Sequence, residues 1–264
     1  MTTGLALGET LRAARDRGRK LLLPFVTGGL GPQWVEVILA VADAGADGLE
    51  VGIPFSDPVM DGPTIQAASQ RALDGGATPQ SILSALRGAD PGVPLVAMTY
   101  YNLVFRAGHE RFAAELAAAG VRGAIVPDLP LEESGEWEAA AAAEGVETVL
   151  LAAPVSPDDR LARICQRSRG FVYGVTVMGV TGERGALADS AAILAKRLKA
   201  QTDTPVVMGF GISTPEQAVA ACASADGVIV ASALMRILLD GGGPDEAAGF
   251  VASLRRGLDD AYGP

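Results

Sequence analysis

Glu50, Asp57 and Asp61 fall within one short stretch, GLEVGIPFSDPVMDGPTIQ (48–66). Carboxylates gathered near one strand end suit general acid/base chemistry. Leu49, Val51 and Ile53 alternate with Glu50 and Gly52 at the period of a strand, so the Glu50 carboxylate faces away from its apolar neighbours. The strand breaks at Pro54, and the residues from Ser56 to Pro63 make a turn-rich loop that carries Asp57 and Asp61. Two readings of Glu50 stand side by side: a proton shuttle whose pKa is raised by burial, or a buried acid paired with an arginine or hydrogen-bonded within the fold. Asp61 reads as a second acid or as the cap of the helix that follows Gly62 and Pro63. Asp57 reads as a turn residue or a surface contact.

Absences narrow the chemistry. Of the three lysines, Lys20 stands at the entry to the first strand and Lys196 and Lys199 sit on an outer helix, so none is expected at a strand's C-terminal end and a Schiff-base mechanism is disfavoured. The one histidine, His109, starts an outer helix and is expected to be solvated, which argues against a histidine-built metal site. No glycine-rich dinucleotide fingerprint follows the first strand, and neither a P-loop nor a nucleophile elbow is present. A formal charge of −10 disfavours nucleic acid and anionic membrane surfaces as partners. Cys165 and Cys222 lie far apart in sequence, which suggests reduced thiols and a cytoplasmic protein. No uncharged apolar run reaches the ~18 residues of a membrane span.

The elements that must position these acids repeat. After an amphipathic helix around 7–17, apolar strands are predicted at 20–26, 49–53, 95–99, 123–126, 148–152, 170–175, 205–208 and 227–230, each followed by a helical segment. Thr78 before Pro79 and Thr214 before Pro215 are helix starts, and Ser156 opens another with an acid three residues on. Eight strands alternating with helices imply parallel pairing, and with 264 residues the pattern fits a (β/α)8 TIM barrel with an extra N-terminal helix. No interdomain linker interrupts it, so residues 1–264 read as one domain.

Active sites of such barrels form at the C-terminal ends of the strands. Those ends carry Thr27, Glu50, Asp57, Asp61, Tyr100, Asn102, Asp128, Tyr173, Thr181, Gly182, Gly211 and Ser232. The loops after strands six, seven and eight are rich in Gly, Ser and Thr, and the segments GFGIS and ASAL stand where backbone N–H groups could hold a phosphate. Alternatively, these glycines only permit tight turns. Asp128 is expected to be an interior hydrogen-bond partner of the second loop.

With these motifs in place the chain resembles the tryptophan synthase α-subunit family, including its free-standing indole-3-glycerol-phosphate lyase relatives. LEVGIPFSDPVMDGPTIQ carries the most specific match, followed in order by YYNLVF, IVPDLPLEES, GVTGERGAL and GFGISTPEQ. The resemblance implies retro-aldol cleavage of indole-3-glycerol phosphate to indole and glyceraldehyde 3-phosphate. It implies Glu50 as the acid/base between the glycerol hydroxyl and indole C3, and Asp61 as the partner of the indole N–H. Phe25 and Tyr100 would line the indole pocket, with Tyr173 near the substrate. Thr181 would belong to a closing loop, and Gly182, Gly211 and Ser232 would donate to phosphate. No cofactor is implied for this chain, because the pyridoxal phosphate of the family belongs to a β subunit, the implied partner in an α2β2 complex.

Departures from the family pattern are confined to loops. The first loop reads TGGLGP where many relatives carry an acid and a longer turn, Ala231 replaces a usual glycine before Ser232, and Val177 and Met178 make the sixth exit more apolar. They leave open a free-standing lyase without a β subunit and, less favoured, a non-catalytic barrel that activates a partner.

Overall fold

A parallel strand covered on both faces must be apolar at successive positions, and β1 (Leu21–Thr27) is buried at every one of its seven residues. The structure, a computed structural model, describes residues 6–175, 184–209 and 211–263. β1 pairs in parallel with β2 (Leu49–Gly52), and the order continues through β3 (Leu95–Met98), β4 (Val121–Ile125), β5 (Glu147–Ala152), β6 (Val172–Val175), β7 (Val206–Gly209) and β8 (Gly227–Val230). β8 returns to β1, with Leu21 opposite Gly227 and Pro24 opposite Val230, so the barrel closes.

Strand alternation separates two apolar layers. Leu21, Leu23, Val96, Ile125, Val149, Phe171, Val207 and Ile229 fill the interior together with Leu7 and Leu11 of α1 (Leu7–Asp16), which stops the N-terminal end. Burying each of those two helix leucines contributes about 2 kcal/mol. The opposite parity, Leu22, Val26, Leu49, Val51, Leu95 and Ala97, packs outward against helices.

Those helices are α2 (Trp34–Asp43), α3 (Pro63–Asp74), α4 (Pro79–Leu86), α5 (Tyr101–Ala107), α6 (His109–Ala118), α7 (Gly135–Ala143), α8 (Asp158–Arg167), α9 (Arg184–Lys199), α10 (Pro215–Cys222), α11 (Ser232–Leu239) and α12 (Pro244–Tyr262). Thr78 caps α4 reciprocally with Ser81, and Thr214 accepts from the Gln217 N–H at the start of α10, both as predicted. One local expectation fails: Ser156 makes no cap, since the N-cap of α8 is Pro157. α7 begins at Gly135, after the turn from Pro130, and on α9 Leu194 and Leu198 face the core while Ile193 is exposed.

The N-terminal face is stitched by charge. Asp47 accepts from the Leu22 N–H at 2.9 Å and from Arg19 at 2.5 Å, and Arg255 of α12 reaches both Asp47 and the Lys20 carbonyl. Lys199 pairs with Asp226, whose other oxygen accepts from the Val206 N–H. Lys20 donates to the Ala225 carbonyl. The acids and bases at that end are thus occupied in holding loops together, leaving the opposite end for chemistry. Among the described residues no helix is long and apolar enough to cross a membrane.

Candidate active site

Glu50 is the midpoint of the site because of its register. It pairs with Phe25 of β1 and Val96 of β3, so its side chain projects into the barrel with the inward layer. It is 1% exposed, and among the described residues neither carboxylate oxygen has a hydrogen-bond partner. Among the described residues no arginine and no donor compensates it, and burial pushes its pKa up to about 8. The paired-acid reading thus finds no partner among those residues, and they leave a carboxyl poised near neutrality.

Asp61 reaches the same mouth from the loop after β2. The helix it was a candidate to cap, α3, has Gly62 as its N-cap and no side-chain cap, while Gln66 donates to the Asp61 carbonyl. Its carboxylate is engaged elsewhere: the Tyr100 hydroxyl donates to Oδ2 at 3.1 Å and itself accepts from the Met60 N–H at 3.0 Å. Burial raises the Asp61 pKa, and the Tyr100 hydrogen bond opposes that rise. Tyr100 is stacked on Phe55, ring centroids 5.2 Å apart. Asp57 stays outside this group; it is exposed and accepts from Ser56, as a turn residue does.

Phe25, Asp61 and Tyr100 line one cleft with Phe55, Ile65 and Met98. Two glycines make room for aromatic rings at this end of the barrel. A side chain at Gly52 would strike the Phe25 ring, and one at Gly209 would sit 2.7 Å from the Tyr173 ring and hydroxyl. Tyr173 is buried in the interior, and burial together with the Glu50 and Asp61 charges pushes its phenol well above the ordinary range. Beside the cleft, Met60, Pro127, Asp128, Leu129 and Leu151 border a cavity of about 420 Å³ on the β4–β5 side.

Gly211 and Ser232 lie at the exits of β7 and β8, which are paired neighbours. Gly211 has φ +76°, the left-handed region that favours glycine. Ser232 is the first residue of α11, whose first intrahelical bond runs from the Met235 N–H to the Ala231 carbonyl. The N–H groups ahead of it are free of the helix ladder and suit an anion. Ala231 has φ −117° and ψ −73°, outside the left-handed region that favours glycine. Arg236 donates to Thr64 and Arg71 to the Leu239 carbonyl, clasping α11 to α3, the helix that follows Asp61. Thr181 and Gly182 lie outside the described residues.

Several participants were not singled out by sequence. Phe55 and Met60 sit in a loop whose apolar residues carry no periodic signal. α5 was read only as a strand exit. Asp128 bonds the third loop, not the second: its Oδ1 accepts from the Tyr101 N–H at 2.8 Å. His109 is half-buried and not fully solvated; its Nε2 lies 3.0 Å from the Tyr101 hydroxyl, and its ring stands near Trp137. Among the described residues no three His, Cys, Asp or Glu side chains gather as metal ligands.

A closed (β/α)8 barrel with two carboxyls raised by burial and an open helix N-terminus at its C-terminal mouth is an architecture suited to a barrel enzyme that works by proton transfer. The sequence model of the tryptophan synthase alpha chain matches residues 11–254. The tryptophan synthase alpha chain of Streptomyces coelicolor is 46% identical over 253 residues, covering 92% of this chain and 91% of that one. That of Gloeobacter violaceus is 43% identical and covers 97% and 94%. Among solved structures, ligand-free tryptophan synthase from Mycobacterium tuberculosis superposes with a TM-score of 0.87 at 37% identity, covering 96% of this chain and 98% of that one. Tryptophan synthase subunit alpha from Legionella pneumophila gives 0.86 at 31% identity, with the same coverage. The chain belongs to the tryptophan synthase alpha-chain family, carbon–carbon lyases that cleave indole-3-glycerol phosphate.

Proposed function

We propose that Glu50 and Asp61 are the catalytic acids with which this chain, as one domain over 1–264, converts indole-3-glycerol phosphate to indole and glyceraldehyde 3-phosphate. The observation that carries the assignment is Glu50: buried, without a hydrogen-bond partner among the described residues, and held near neutrality in a barrel mouth. As the acid, it gives a proton to indole C3, and the ring becomes an indolenine. The C3 to side-chain carbon bond then breaks, its electron pair returning to the ring, while the adjacent hydroxyl loses its proton and becomes the aldehyde. The same carboxylate takes that proton and is reset. Asp61, ionised, faces the indole N–H and stabilises the positive charge that protonation puts on the ring.

Phe25 and Tyr100 bracket the ring, and Tyr173 closes the pocket below it. Ser232, Gly211 and Gly182 offer N–H groups to the phosphate, and Thr181 acts from the sixth loop. The indole ring takes the electrons in this scheme, so it needs neither a lysine nor a cofactor on this chain.

The partner in this proposal is a tryptophan synthase β subunit in an α2β2 complex. Val59 and Met60, Phe105, and Val155 are exposed on the segments that follow β2, β3 and β5, at the same end of the barrel as the site. Apolar side chains gathered on one rim suit a docking surface. The test is indole release by the purified chain alone and after addition of a cognate β subunit. Strong activation supports the subunit reading, full activity without activation makes the chain a free-standing lyase, and no indole in either case refutes the assignment.

A further inference from the structure

The catalytic reading leaves Asp128 without a task, yet it is placed where it governs one of the acids. We propose that Asp128 is a positioning residue: from the exit of β4 it fixes the first residue of α5 and so aims the Tyr100 hydroxyl at Asp61. The inference rests on the role of Asp61 proposed above.

The first N–H groups of a helix need partners from outside it. At α5 the N-cap residue, Tyr100, supplies no side-chain cap. Asp128 fills the gap from a different strand, accepting the Tyr101 N–H at 2.8 Å. The residue pinned in this way is the chain neighbour of Tyr100, whose extended backbone (φ −87°, ψ 146°) sends its ring across the mouth to Asp61. A tilt of about 10° at the Tyr100 Cα would move the phenol oxygen, about 6.5 Å away, by about 1 Å, and a misplacement of that size costs up to about a hundredfold in rate.

The reference point is itself braced. Arg167 of α8 donates to the Leu131 carbonyl at 2.6 Å, to Ser134 Oγ at 2.8 Å and to Glu138, holding the segment that follows Asp128. Arg160 forms a two-pronged pair with Glu132 in the same segment. The Tyr101 side chain is held separately, by His109. Backbone and side-chain tethers at this residue can therefore be cut independently.

The test uses the full chain and steady-state cleavage of indole-3-glycerol phosphate. Asp128→Ala should lower kcat about ten- to a hundredfold while KM changes less than about threefold. The acid limb of its kcat/KM profile should move to higher pH, because Asp61 loses the hydrogen bond that opposes the rise of its pKa. Asp128→Asn, which keeps a carbonyl acceptor, should recover most of the rate. In the Tyr100→Phe background Asp128→Ala should have little further effect, since both act through one contact. Fully multiplicative effects, an unmoved acid limb, or an asparagine variant as slow as the alanine one would each overturn the assignment.

A second pair of variants decides the matter if Asp128→Ala does not fold. Tyr101→Pro and Tyr101→Ala both lose the side chain held by His109, and only the proline variant also loses the N–H, at a helix position that favours proline and after a residue already extended. The proline variant should be at least tenfold slower than the alanine one, and equal rates would refute the inference. A wild-type chain that releases no indole overturns the cleavage reading and this inference together, whereas an active wild type with insensitive variants overturns this inference alone.

Discussion

Replacing Glu50 by glutamine removes a charge that the fold resists, so it should stabilise the protein at alkaline pH as it abolishes the reaction. The rise of the Glu50 pKa from 4.5 to about 8 corresponds to about 5 kcal/mol between its ionised and neutral forms. In the unfolded chain this residue ionises at its ordinary pKa, so between pH 4.5 and 8 the folded state binds the extra proton. Stability then falls with rising pH, by about 1.4 kcal/mol per pH unit, and is fully present only below the unfolded value. Near pH 7 the loss is about 3 kcal/mol, or about 6 °C in Tm at roughly 2 °C per kcal/mol. Glutamine cannot ionise. Its unpaired amide costs about 1–3 kcal/mol, but that cost does not depend on pH. Thermal unfolding of both proteins from pH 5 to 9 should therefore give a Tm difference that moves in favour of the variant up to about pH 8 and then levels off. Indole release by the variant should fall at least a hundredfold at every pH. Parallel Tm curves would mean that Glu50 is paired or ordinarily solvated, and the argument for its catalytic protonation state would collapse.

Asp61→Asn should lower kcat at least tenfold with a modest change in KM, measured by indole release; an unchanged rate would remove Asp61 from the chemistry. Gly52→Ala should displace the Phe25 ring that lies against it, destabilising the fold by about 1–3 kcal/mol and raising KM, as denaturant titration and kinetics would show. Phe105→Asp, at an exposed rim position, should leave cleavage by the isolated chain unchanged and weaken binding of a β subunit at least tenfold in a titration calorimeter. Equal affinity would move the docking surface elsewhere.

Sequence by itself determined the barrel. β1 and β8 could be read as strands because buried parallel strands need unbroken apolar runs, and α4 could be bounded because Thr78 and Pro79 act locally. Glu50 and Asp61 could be singled out as acids at a strand end, and the order of five motifs pointed to the family. What sequence could not settle was which contacts those acids make. Whether Glu50 meets an arginine or nothing, and whether Asp61 caps α3 or meets Tyr100, depends on residues brought together across strands. Register and burial set those meetings, and both arise only when the sheet closes. α5 and the Asp128 to Tyr101 bond were hidden for the same reason. A helix of seven residues has little local signal, and its first N–H is satisfied by a carboxylate 27 positions away that only the closed barrel brings within reach. The stretch 48–66 thus carried the chemistry in its residue types, and tertiary structure decided its protonation, because burial without a partner is a property of the surroundings.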